Sequence, residues 1–178
     1  MTAGVYAQGL VDFRNKITGT LDAAVYANTV GGTKLAGDFM GGNFVAQLYF
    51  GTANTPNSFN AIADPPVPFR TGAAAGYWNA GADSSRALPG IAAGTMNAWV
   101  QVRVWDLTKG ATYDAAKAAG SLYGLSNAFQ VDATGPPAAP GALLGLQAFA
   151  LQGGVIPEPS TIALGLLGLG ALLFRRRR

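Results

Sequence analysis

Histidine and cysteine are both absent from this 178-residue chain, and glutamate occurs once, at Glu158. Without histidine there is no ordinary general base, no Ser-His-Asp arrangement and no imidazole ligand for zinc. Without cysteine there is no thiol nucleophile, no iron–sulfur ligation and no disulfide. Charge is scarce too: 12% of residues are Asp, Glu, Lys or Arg, so charged chemistry has few places to sit. The eight Lys and Arg of residues 1–156 are matched by eight Asp, and the net charge of +3 comes from four C-terminal arginines less Glu158. The pI near 9.4 therefore describes the tail. A neutral body carries no electrostatic footprint for nucleic acid.

Glycine is abundant, with 25 residues, and Ala, Thr and Asn are frequent. That composition fits an exported β-protein and disfavours a long helical bundle. A body of about 150 residues buries an adequate core without disulfides. Two stretches alternate clearly. In 43–50, Phe44, Ala46, Leu48 and Phe50 share one face, with Asn43, Val45, Gln47 and Tyr49 on the other. In 97–106, Ala98, Val100, Val102 and Val104 make a buried face. Further strands are expected at 10–15, 17–26, 69–78, 85–91, 128–132 and 143–151. The stretch 51–68 reads as loop with one edge strand. Thr112 caps a short helix from Tyr113 to Ala119, ended by Gly120. The expected fold is mainly β: an antiparallel β-sandwich of jelly-roll type with one short helix.

Trp99, Gln101, Arg103 and Trp105 share the other face of 97–106. Two indoles with polar neighbours suit stacking on sugar rings, so Trp99 and Trp105 are the candidate sugar contacts. The plainer expectation, which the size of the indoles favours, is that this face packs under another element. The aspartates are Asp12, Asp22, Asp38, Asp64, Asp83, Asp106, Asp114 and Asp132. A glycosidase needs two facing carboxylates, and no spacing here selects a pair. No EF-hand loop occurs, though a structural calcium stays open. Turns and caps are the default for all eight. Ser84, Ser85 and Ser126 have no histidine, and nothing puts Lys34, Lys109 or Lys117 beside them. The pairs Gly31-Gly32 and Gly41-Gly42 lack the setting and the lysine of a phosphate loop. No catalytic residue, metal ligand or cofactor is assigned.

The C-terminus is organised differently. Pro157, Glu158 and Pro159 form a triplet whose prolines disfavour helix and donate no backbone hydrogen bond. The uncharged run from Ile162 to Phe174 follows, and as a helix its 13 residues would span about 20 Å against a hydrocarbon core of about 30 Å. Six leucines, one isoleucine and one phenylalanine give it an insertion term of about −2 to −5 kcal/mol. Arg175, Arg176, Arg177 and Arg178 then hold the end on the cytoplasmic side and place the body beyond the membrane.

A rigid triplet, a short hydrophobic segment and a basic end, in this order, resemble the PEP-CTERM sorting signal of Gram-negative bacteria. The resemblance implies an exported protein, anchored transiently in the inner membrane with its body on the periplasmic side. It implies processing by an exosortase, a membrane-embedded protease that recognises Pro-Glu-Pro. It further implies release to the cell surface or extracellular matrix, where such proteins are often linked to exopolysaccharide and biofilm. At the other end, Val5-Tyr6-Ala7 before Gln8 has the small-x-small pattern of a signal-peptidase site. The expected organisation is a signal-peptide remnant at 1–7, a β body at 8–151, a spacer at 152–156 and the sorting signal at 157–178. The expected role is a non-enzymatic surface or matrix protein. The alternatives are an exopolysaccharide-binding module and, last, an Asp-dependent polysaccharide-active enzyme.

Overall fold

A computed structural model describes residues 8–51, 53–55 and 58–153. The Val5–Ala7 cleavage pattern, the triplet Pro157-Glu158-Pro159, the segment 162–174 and Arg175–Arg178 lie outside the described residues.

In chain order the strands are β1 (Gln8–Asp12), β2 (Lys16–Ile17), β3 (Leu21–Asp22), β4 (Val25–Tyr26), β5 (Phe44–Gly51), β6 (Asn60–Ala61), β7 (Val67–Pro68), β8 (Ser85–Ala92), β9 (Thr95–Asp106), β10 (Leu122–Leu125), β11 (Phe129–Ala133), β12 (Gly141–Ala142) and β13 (Phe149–Gly153). One helix, α1 (Tyr113–Ala118), stands between β9 and β10. Over the described residues the chain is mainly β with one short helix, as expected, and its sheets curl into a half-barrel.

The large sheet runs β4-β13-β10-β9-β5-β6, with β11 also on β9 and β7 also on β5. A smaller, three-stranded sheet runs β12-β1-β8, and β2 and β3 pair as a two-stranded one. Two pairings, β1 with β12 and β4 with β13, are parallel. The long antiparallel pair β5–β9 is the spine, in register from Phe44 opposite Asp106 to Gly51 opposite Trp99. Alternation dictates what each face does. Ala98, Val100, Val102 and Val104 of β9 join Phe44, Ala46 and Leu48 of β5 in the main core. Val11 and Leu88 of the smaller sheet enter the same core, so the two sheets close on each other. Each fully buried Val or Leu there contributes about 1.5–3 kcal/mol.

Several expected strands are redrawn. The single strand expected at 17–26 is three short pieces, because Gly19 turns the chain at a φ of 75° and Thr20 N–H donates to Ile17 O. The expected strand at 69–78 is a loop with a 3-10 turn at Gly72–Ala74, whose strand-like pairing is reduced to a Phe69–Trp78 bridge. The final strand starts at Phe149, after Leu143 and Leu146 have been buried from turns, and it runs on into the expected spacer. β10 was not foreseen. It is the link between β9 and β13.

Asn15 is buried and ties three loops together. Its Nδ2 donates to Ala23 O and Gly76 O, both at 2.9 Å, and its Oδ1 accepts from Trp78 N. Trp78 stacks on Phe13 at 4.8 Å and donates its indole N–H to Phe13 O.

Candidate functional site: the covered face of β9

The outer face of β9 carries the tryptophans that sequence singled out. α1 lies over this face, because Thr112 caps the helix by accepting from Ala115 N and because Gly110 lets it approach. A Cβ on Gly110 would sit 2.3 Å from Ala116 N, so only glycine fits. Under the helix is a second apolar cluster of Val45, Tyr49, Phe59, Trp105, Tyr113 and Ala116.

Trp105 is 0% exposed. Its indole N–H donates to Gly110 O at 3.1 Å, and its ring meets Tyr113 edge-on at 6.4 Å. The candidate sugar contact at Trp105 is therefore corrected: this indole is an anchor for α1 and shows no face to solvent. Trp99 is half-buried against the edge of the cluster. The two do not form a platform.

Arg103, between them, pairs with no carboxylate among the described residues. Its guanidinium lies over the Tyr49 ring at 4.1 Å and the Tyr113 ring at 5.1 Å, and its Nε donates to Gln101 Oε1. These cation–π contacts take the place of an ion pair. Burial pushes the Tyr113 hydroxyl up to about 12, against the pull of Arg103. Tyr49 is raised by the same cause. Beside this stack opens a groove of about 410 Å³, walled by Asn54, Phe59, Gln101, Arg103, Tyr113, Asp114 and Lys117. Sequence reasoning found Gln101 and Arg103 by alternation. It missed Asn54, from a distant loop, and weighed Asp114 and Lys117 of the helix without joining them to this face.

Six of the aspartates serve turns, bridges or the helix start. Asp83 accepts from Ser85 N, and Asp106 accepts from Asn43 N, Thr108 N and Thr108 Oγ1. Asp132 accepts from the backbone of Asn97, which holds a positive φ of 61° where β9 bulges opposite it. Asp22 accepts from the Tyr77 hydroxyl, and Asp12 pairs with Arg14. Asp114 lies in the first turn of α1, where its charge suits the helix dipole. Among the described residues no three acidic side chains gather to hold a metal ion. Ser126 is occupied structurally, accepting from Val102 N and donating to Asn127 O.

Comparison with known families adds one finding. Residues 155–178 match the PEP-CTERM protein-sorting motif. The chain thus carries an export and sorting signal of the exosortase class, which implies transient anchoring through the C-terminus and processing by an exosortase. The match leaves residues 1–154 unassigned. Curated proteins and solved structures give no significant match.

Proposed function

We propose that this protein is a non-enzymatic structural component of the cell surface or extracellular matrix, delivered there by its C-terminal signal. The observation that carries the reading is the sorting motif at 155–178. The body supports it by what its reactive residues do. Asp12, Asp22, Asp83, Asp106 and Asp132 are engaged in turns and bridges, and Trp105 is sealed beneath α1. A body without Glu, His or Cys offers little acid–base or nucleophilic chemistry.

Mass spectrometry of the protein from cells with and without the sorting protease tests delivery. The expected product in protease-competent cells lacks the segment beyond the Pro157–Pro159 region. An unchanged full-length chain in both strains overturns the reading.

A second reading rests on the groove beside Arg103. Its mix of Asn54, Gln101, Asp114 and an aromatic wall is of the kind that binds neutral sugars. It moves the exopolysaccharide contact from Trp99 and Trp105 to Tyr113 and Arg103. Retention of the protein on a polysaccharide array, lost in Gln101→Ala, supports it.

A further inference from the structure

Another cavity shares no lining residue with the groove beside Arg103 and has a different character. It encloses about 300 Å³ and is lined by Arg14, Asn15, Lys16, Arg70, Tyr77 and Trp78, over a floor of small residues such as Ala80. Three of its side chains are cations, in a body whose net charge is zero. They arrive from the end of β1, from β2 and from the loop after β7, so the concentration is made only by folding.

The cations are exposed, and all but Arg14 lack a carboxylate partner among the described residues. Lys16 Nζ sits 4.5 Å from the Tyr77 ring centroid. Lys34 Nζ sits 4.8 Å from the same centroid and donates to the Tyr77 hydroxyl at 3.1 Å. That hydroxyl in turn donates to Asp22 Oδ1 at 2.6 Å. Arg70 reaches toward Asn79. The only ion pair among the described residues is Arg14 with Asp12. Lys16, Lys34 and Arg70 therefore have no carboxylate within 4.0 Å among the described residues. Against Asp12 and Asp22, the four cations leave a local excess of positive charge. The wall behind them is rigid, because Asn15 is buried and bonded to Ala23, Gly76 and Trp78.

Cations in excess around a small cavity favour negative charge, and the fold has already brought their backbones together. We propose that the cavity between Arg14, Lys16 and Arg70 is a binding site for an oxyanion, a carboxylate or phosphate carried by a small ligand. Lys16 and Arg70 supply charge-assisted hydrogen bonds, and Arg14 supplies the donors that Asp12 leaves free. Lys34 adds its field from behind Tyr77. The site goes beyond delivery to the surface and does not depend on the tail.

The test uses the full-length ¹⁵N-labelled chain in detergent micelles, titrated separately with inorganic phosphate, sodium glucuronate and uncharged glucose. Saturable amide shifts at Lys16, Arg70, Tyr77 and Gly81 are expected with phosphate or glucuronate, and none with glucose. The oxyanion that saturates at the lower concentration identifies the source. The double substitution K16Q/R70Q weakens binding by about tenfold or more, the factor expected when a charge-assisted hydrogen bond is lost. The charge-keeping pair K16R/R70K retains saturable binding and guards against a simple folding defect. Shifts absent with both anions overturn the site. So do shifts that persist in K16Q/R70Q, or that appear equally at Lys109 and Lys117.

Discussion

At Asp106 one carboxylate answers three donors: the N–H of Asn43 and both the N–H and the hydroxyl of Thr108. It thereby ties the start of β5 to the turn that leaves β9. Burial pushes its pKa up, but these hydrogen bonds and the charge of Lys109 outweigh burial and hold it below the ordinary carboxylate value. Asp12 is likewise lowered: burial acts against ionisation, and Arg14 and Ser84 overcome it. The sign follows from linkage. A group whose folded pKa lies below its unfolded value stabilises the fold above the unfolded pKa, about 3.9 for Asp, and loses that stabilisation as pH falls through the folded pKa. Urea unfolding should therefore give constant stability from neutral pH down to about pH 5 and a decline below about pH 4. Asp106→Asn should lower stability at pH 7 by about 1–3 kcal/mol, as for a hydrogen bond to a charged group, and should flatten the acid decline. An acid decline of unchanged steepness in that variant would remove Asp106 as a source.

Among the elements, α1 is the shortest that does structural work out of proportion to its length. Six residues make a marginal helix by themselves, and this one persists because Thr112 caps it and Tyr113 and Ala116 are buried on Trp105. Thr112→Ala should cost about 1 kcal/mol and Thr112→Ser much less, read as shifts in thermal midpoint. Equal shifts for both would mean that the methyl group matters and the cap does not. The same element marks where sequence was readable. Thr112, the apolar helix face and Gly120 are local signals, as is the alternation of β5 and β9, and all three elements stand within a residue or two of expectation. β2, β3, β4 and β12 are two-residue strands with no period to detect, and they exist because neighbours pair with them. β10 reads Leu-Tyr-Gly-Leu, without alternation, and is held on both sides by β9 and β13. The candidate site was legible to the same depth. Alternation put Trp99, Gln101, Arg103 and Trp105 on one face. It could not say that a helix beginning at Tyr113 would roof Trp105 and leave the groove open at Arg103. Nor does any local signal join Arg14, Lys16 and Arg70, whose meeting depends on the buried amide of Asn15.

Across the whole molecule, charge divides the chain into two unlike parts. The body of residues 1–156 is balanced, and four consecutive arginines at 175–178 carry the excess. A balanced body offers few charges to compete with the four arginines, so they are expected to direct the hydrophobic segment that precedes them. The 13 uncharged residues from Ile162 to Phe174 favour insertion by only about −2 to −5 kcal/mol, too little for a lasting anchor. Each arginine drawn into the bilayer centre costs about 2.5–3.5 kcal/mol on the same scale, so four of them are expected to resist passage of the end across the membrane. Replacing Arg175, Arg176, Arg177 and Arg178 by glutamine removes most of that barrier and leaves the weak insertion term. In cells lacking the sorting protease, the unsubstituted chain is expected in the membrane fraction, with its C-terminus protected from protease added outside intact spheroplasts. The four-glutamine variant is expected to leave the membrane fraction or to lose that protection. If it stays anchored and protected like the unsubstituted chain, the hydrophobic segment holds the tail without help, and the arginines have no part in its direction.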